Sequence, residues 1–124
     1  MFKVYWFRKD LRLYDNKGLS EFIKSLKPED KYLFLYVKNK NTIKYFGEMR
    51  VAFLYQCLNE LSTSLKERNL FLNVINGKST DVFKTLTEKY GKVKVYANKQ
   101  VEPYSLERDL KVTEYLESKD SEIN

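Results

Sequence analysis

The sequence predicts a doubly wound, Rossmann-like α/β domain, a parallel sheet with helices on both faces. Two observations predict it. Short runs of aromatic and β-branched residues recur at 2–7, 32–37, 70–75 and 93–97, and each gives way to a polar loop and then to apolar residues at helical spacing. A chain of 124 residues also suits one hydrophobic core and not two ordinary domains, so residues 1–124 are read as a single domain. The expected strand order is 3-2-1-4, which leaves open a missing fifth strand, and right-handed crossovers fix which face each helix takes.

The first run, 2–7, carries a single charge near its start and reads as a strand buried on both faces. Asp15 or Asn16 then caps a helix whose Leu19, Phe22, Ile23 and Leu26 share one apolar face, with Pro28 beyond its end. The second strand, 32–37, repeats the switch from buried strand to polar loop. A long helix follows from Gly47-Glu48-Met49, with Arg50 in its first turn and Leu54, Leu58, Leu61 and Leu65 toward the sheet. After the third strand, Ser79, Thr80 or Asp81 caps a helix with Val82, Phe83, Leu86 and Tyr90 inward, and Gly91 ends it. Pro103 opens the last helix, whose expected inner face is Leu106, Leu110 and Thr113. The polar stretch 118–124 is the one segment expected to be disordered.

Composition excludes several chemistries. One cysteine, Cys57, and no histidine rule out an internal disulfide, His-ligated zinc, a Ser-His-Asp triad and a Cys-His dyad; Cys57 is expected in the core. The formal charge of +6 and pI near 9.3 would suit an anionic partner, but the lysines are scattered, which is the pattern of a solvated surface. No window approaches the roughly 18 apolar residues of a membrane helix, so a cytoplasmic, non-membrane protein is expected.

Ligands of open α/β sheets bind beyond the carboxyl ends of the strands, where the strand order reverses. Four loops qualify, at 8–10, 38–44, 76–79 and 98–102, and the first and last flank the crevice in the order 3-2-1-4. Gly77-Lys78-Ser79-Thr80 resembles the end of a phosphate loop, but Leu72 stands where that motif needs glycine. The glycines are Gly18, Gly47, Gly77 and Gly91 alone, so there is no Gly-x-Gly-x-x-Gly fingerprint. Arg8, Asp10, Arg12 and Asp15 read as structural ion pairs ahead of a catalytic group. Glu102 would either cap the last helix or accept hydrogen bonds from the N–H groups of a heterocycle. Tyr5, Trp6 and Tyr36 read as core, with the alternative that a ring at a strand end flanks a planar ligand. No metal site and no catalytic residue is assigned.

The run Trp6-Phe7-Arg8-Lys9-Asp10-Leu11-Arg12-Leu13-Tyr14-Asp15-Asn16 closely resembles the opening signature of the DNA photolyase and cryptochrome family. Two further stretches agree in order. Gly47-Glu48-Met49-Arg50-Val51-Ala52-Phe53-Leu54 with Cys57-Leu58-Asn59-Glu60-Leu61 is similar to the family's second-helix pattern, and Asn98 through Glu102-Pro103-Tyr104 to Arg108-Asp109 to its fourth-strand loop. Departures are Val101, where the family often has tyrosine, and Lys17, where it has proline.

The resemblance implies an antenna-binding α/β domain, most like that of a deoxyribodipyrimidine photolyase, a lyase that repairs cyclobutane pyrimidine dimers. The antenna would be a reduced folate (methenyltetrahydrofolate), a deazaflavin, or absent. FAD and the dimer-containing DNA would be held by a helical domain of the same parent chain, absent from these 124 residues, so the isolated chain is expected to be inactive. Carried over by position, Glu102 matches the acidic residue that contacts the pterin, Arg50 an arginine near a deazaflavin, and Lys38 the loop lining the latter pocket. With Arg8 and Asn98 at the crevice these are the candidate cofactor-binding residues. The alternatives are the same domain of a cryptochrome photoreceptor, or a free-standing nucleotide-binding α/β protein.

Overall fold

The computed structural model describes residues 2–8, 10–13, 16–39, 47–98, 103–118 and 122–123. In chain order these form β1 (Phe2–Phe7), α1 (Lys17–Ser25), β2 (Lys31–Lys38), α2 (Glu48–Lys66), β3 (Leu72–Asn76), α3 (Ser79–Tyr90), β4 (Val93–Tyr96), α4 (Pro103–Ser118) and β5 (Glu122–Ile123). All strand pairs are parallel, in the order β3-β2-β1-β4-β5. The expected order 3-2-1-4 is therefore present. The fifth strand is present too, as a short rung in which Lys94 and Val95 pair with Glu122 and Ile123, inside the stretch expected to be disordered. Two residues carry too little pattern to be read as a strand.

The central strand β1 is covered on both faces, with Val4, Tyr5, Trp6 and Phe7 all at most 1% exposed. Because side chains alternate along a strand, Val4 and Trp6 enter one core with Leu35, Val82, Phe83, Leu86, Val93, Val95, Val112 and Leu116. Tyr5 and Phe7 enter the other with Leu19, Phe22, Phe34, Leu61, Leu65 and Tyr96. Thus α1 and α2 cover one face, and α3 and α4 the other. Right-handed crossovers require this arrangement, since the chain moves outward through β2 and β3, then returns past β1 to β4.

Several helix faces differ from expectation. In α4 the buried residues are Val112 and Leu116, whereas Leu106 and Leu110 are 45% and 58% exposed. The helix is rotated so that Asp109 reaches Arg8, and this ion pair, invisible to an apolar count, selects the face. In α1, Leu19 and Phe22 are buried but Ile23 is 53% exposed, because α1 meets the sheet along a narrow line. Tyr90 lies at the rim and stacks on Phe2, with ring centroids 4.1 Å apart. No side chain caps α3, whose N-cap is Lys78, while Asn16 caps α1 as expected, accepting from the Leu19 amide at 3.1 Å. Cys57 is only partly buried. No helix among the described residues is long and apolar enough to cross a membrane.

At the amino edge, Lys3 is buried and satisfied twice, by Asp30 at 2.7 Å and by the Ser25 carbonyl at 2.6 Å. This closes the α1 to β2 turn onto β1. The hydrogen bond from Lys3 holds the Asp30 carboxyl below its ordinary range.

The rotation of α4 is directly testable. Leu116→Ala should lower unfolding stability by about 2–4 kcal/mol through lost burial and a cavity, whereas Leu110→Ala should fall within about 0.5 kcal/mol of the parent. Urea denaturation of both variants decides between the two faces.

Candidate functional site

Strand order reverses between β1 and β4, so their carboxyl ends form the crevice in which such sheets bind ligands. On the α1 side this crevice is filled by the chain's own polar groups. Asp10 turns back over β1 and accepts from the Tyr5 hydroxyl at 2.7 Å, the Arg8 amide at 2.9 Å, and the side-chain amides of Asn16 at 3.1 Å and Asn98 at 2.8 Å. Asn98 also donates to Asn16 Oδ1 at 2.7 Å and accepts from the Gly18 amide at 2.9 Å. One network therefore joins the end of β1, the start of α1 and the end of β4.

Each member is present for a stated reason. A carboxylate accepts several hydrogen bonds at once, and an asparagine both donates and accepts, so buried groups are satisfied without a net cation. Glycine at position 18 is required by the close approach, since a Cβ there would sit 2.2 Å from Asn98 Oδ1. Burial first, and then the bond to Asp10, pushes the Tyr5 phenol far above its ordinary value, so it remains a proton donor.

The α4 side of the edge is cationic and aromatic. The guanidinium carbons of Arg8 and Arg108 lie 4.9 and 5.0 Å from the Trp6 ring centroid, within cation–π range. Asp109 holds both, accepting from Arg8 at 2.5 Å and from Arg108 Nε at 3.2 Å. Arg8 is 6% exposed, and its Nε is buried without a hydrogen-bond partner among the described residues. On the opposite sheet face, Lys38 lies 4.4 Å over the Tyr55 ring and donates to its hydroxyl. Burial raises the pKa of Tyr36, with the Arg108 charge acting the other way. The phenol thus stays protonated at neutral pH.

Of the residues expected at the site, Arg8 and Lys38 lie at this edge, Asn98 is built into the network, and Arg50 is exposed in the first turn of α2. Glu102 lies outside the described residues, as do Lys9 and Asp15. Arg108, Asp109 and Tyr55 were not singled out from sequence. Arg108 and Asp109 fall in a quoted motif, but nothing in a helical repeat shows that they turn back over Trp6. A separate groove of about 360 Å³ lies between α1 and α2, lined by residues including Leu11, Leu13, Phe34 and Leu61. None of Arg8, Lys38, Arg50 or Asn98 lines it.

Fold and edge together define a doubly wound α/β domain whose carboxyl edge is suited to a planar, anionic ligand. The family model described as DNA photolyase matches residues 3–124, and the chain belongs to that family. Cryptochrome-1 of Macaca fascicularis is 36% identical over 108 residues, covering 86% of this chain and 18% of that protein. Cryptochrome DASH of Solanum lycopersicum is 35% identical over 108 residues, covering 78% and 18%. The chain thus spans under a fifth of the length of these curated relatives. Among solved structures, an archaeal photolyase from Sulfolobus tokodaii with two FAD molecules superposes with a TM-score of 0.87 at 28% identity, covering 99% of this chain and 28% of that one. A cryptochrome from Synechocystis shares the fold, with a TM-score of 0.86 at 24% identity over 98% and 26% of the two chains.

The network makes two predictions. Gly18→Ala should destabilise by about 1–3 kcal/mol, because Asn98 must leave its partners, although alanine normally improves a helix by up to about 1 kcal/mol. In the Asn98→Ala background the same change should no longer destabilise. Tyr5→Phe should lose about 1.5–3 kcal/mol at neutral pH, the range for a hydrogen bond to a charged group. The folded-state pKa of Tyr5 is raised, so its contribution is full below the unfolded value of about 10 and is lost as pH rises above it. The deficit of Tyr5→Phe relative to the parent should therefore narrow above pH ~10 in denaturation series.

Proposed function

We propose that this chain is the antenna-chromophore-binding domain of a light-dependent flavoprotein, with the chromophore at the carboxyl edge between the Trp6–Arg8–Arg108 cluster and the Lys38–Tyr55 pair. The observation that supports this is the gathering of the Arg8 and Arg108 guanidinium groups on Trp6 at the switch point, with the Lys38–Tyr55 pair on the other sheet face. Arginine and lysine cations beside the partly exposed Tyr55 ring fit an anionic heterocycle, which can stack and accept hydrogen bonds. Asn98 contributes by fixing the fourth-strand loop, and Arg50 and Glu102 by contacting the chromophore from α2 and from that loop.

A bound antenna absorbs light and passes the excitation to the flavin. The residues here bind, orient and shield it, and none carries out bond chemistry. A reduced folate and a deazaflavin are both candidates. FAD joins them, since the Sulfolobus tokodaii photolyase is described as holding two FAD molecules with the implication of a novel light-harvesting cofactor. The catalytic FAD and dimer-containing DNA would belong to a helical domain of the parent protein, which would then be a deoxyribodipyrimidine photolyase, soluble in the cytoplasm. A cryptochrome photoreceptor is the second reading, favoured by the 36% identity to Cryptochrome-1. A free-standing nucleotide-binding protein would instead use the loop from Asn76 to Ser79.

Trp6 is the sole tryptophan, so its emission reports directly on the edge. Titration with methenyltetrahydrofolate, an 8-hydroxydeazaflavin or FAD should quench Trp6, and Lys38→Ala and Arg108→Ala should each weaken binding by about tenfold, or 1.4 kcal/mol. Glu102→Gln should weaken folate selectively, because the amide keeps the shape and loses charge-assisted acceptance. Quenching by ATP alone, abolished by substitution of Ser79, would sink the antenna reading.

A further inference from the structure

A second surface lies at the opposite side of the sheet, away from the crevice. Strand β3 is an edge strand, paired with β2 and with no strand on its outer side among the described residues. Native proteins protect such edges with lysine, proline, bulges or very short strands, because the outward N–H and C=O groups template a further strand. The other edge obeys this rule, since β5 is a rung of two residues. The β3 edge does not. From Asn69 to Gly77 there is neither a charge nor a proline, Phe71 is 70% exposed and Val74 is 44% exposed. The strand runs regularly over Leu72–Asn76, in unbroken register with β2 from Phe34 to Lys38.

The charges at its two ends decide what fits. Lys66 and Arg68 stand before the strand and Lys78 follows it, all exposed, while Lys38 pairs in register with Asn76. Against these four cations stand Glu67 and Asp81. A second copy of this chain would bring like charge to like charge, in a protein of formal charge +6. An extended segment with apolar residues at alternate positions and acidic residues at its ends meets both the apolar middle and the cationic ends.

We infer that the outer edge of β3 is a strand-addition site for an extended, acid-flanked apolar peptide segment of a partner protein. Main-chain hydrogen bonds supply the pairing, Phe71 and Val74 the apolar contacts, and Lys66, Arg68 and Lys78 the choice of partner. The surface shares only Lys38 with the proposed chromophore site, and Lys66, Arg68, Phe71, Val74 and Lys78 lie outside it.

The test uses the ¹⁵N-labelled full chain and a blocked peptide, Glu-Asp-Val-Thr-Val-Thr-Val-Asp-Glu. Binding should slow amide hydrogen exchange within residues 71–76 and leave the Trp6 emission unchanged. The triple variant Lys66→Glu, Arg68→Glu, Lys78→Glu, verified as folded by its urea transition, should bind about tenfold or more weakly. A peptide with lysine at the acidic positions should bind the parent no better than the triple variant binds the acidic one. The inference is overturned if no β3 amide slows at saturating peptide, if the charge-reversed peptide binds equally well, or if sedimentation shows the parent chain already paired with itself through β3.

Discussion

The Asp10 carboxylate is the group on which the crevice depends. A doubly wound sheet has one place where consecutive crossovers diverge, and without side chains to fill it the β1 and β4 loops would part. Asp10 occupies that gap and takes hydrogen bonds from Tyr5, Arg8, Asn16 and Asn98, which belong to three separate elements. Such networks are worth most when every member is satisfied. Gly18 completes it by letting α1 approach the Asn98 side chain without a Cβ between them.

Because Asp10 and the two asparagines satisfy one side of the switch point, the cations gather on the other. Asp109 draws Arg8 and Arg108 onto Trp6, and in doing so fixes the rotation of α4. The same ion pair therefore explains two observations that look unrelated, the exposure of Leu106 and Leu110 and the buried guanidinium beside the strand end. Removing either partner would leave the other charged and desolvated, which is costlier than the pair is stabilising.

What was legible in the sequence follows from the range of the interactions. β1 was readable because Val4 to Phe7 are apolar on both faces, and α1 because Asn16 caps locally, three residues from the Leu19 amide that donates to it. The parallel sheet followed from the alternation of strands and helices, whereas the order 3-2-1-4 was the expectation for a doubly wound sheet and is not dictated by local pattern. The face of α4 was not readable, since Leu106 and Leu110 repeat as well as Val112 and Leu116 do, and the choice was made by Arg8, 101 residues away. For the same reason the partition of the switch point was hidden. Asp10 could be read as a structural charge, but its pairing with Asn98 across 88 positions could not.

The division also bears on which polar residues remain for a ligand. A side chain satisfied on both donor and acceptor sides, as Asn98 is, has little left to offer and acts by holding its loop in place. Arg8 differs, for among the described residues its guanidinium is held by Asp109 while Nε is without a hydrogen-bond partner. A buried donor left unpaired costs roughly 1–3 kcal/mol, and because this nitrogen is closed off from solvent the folded domain itself carries that cost.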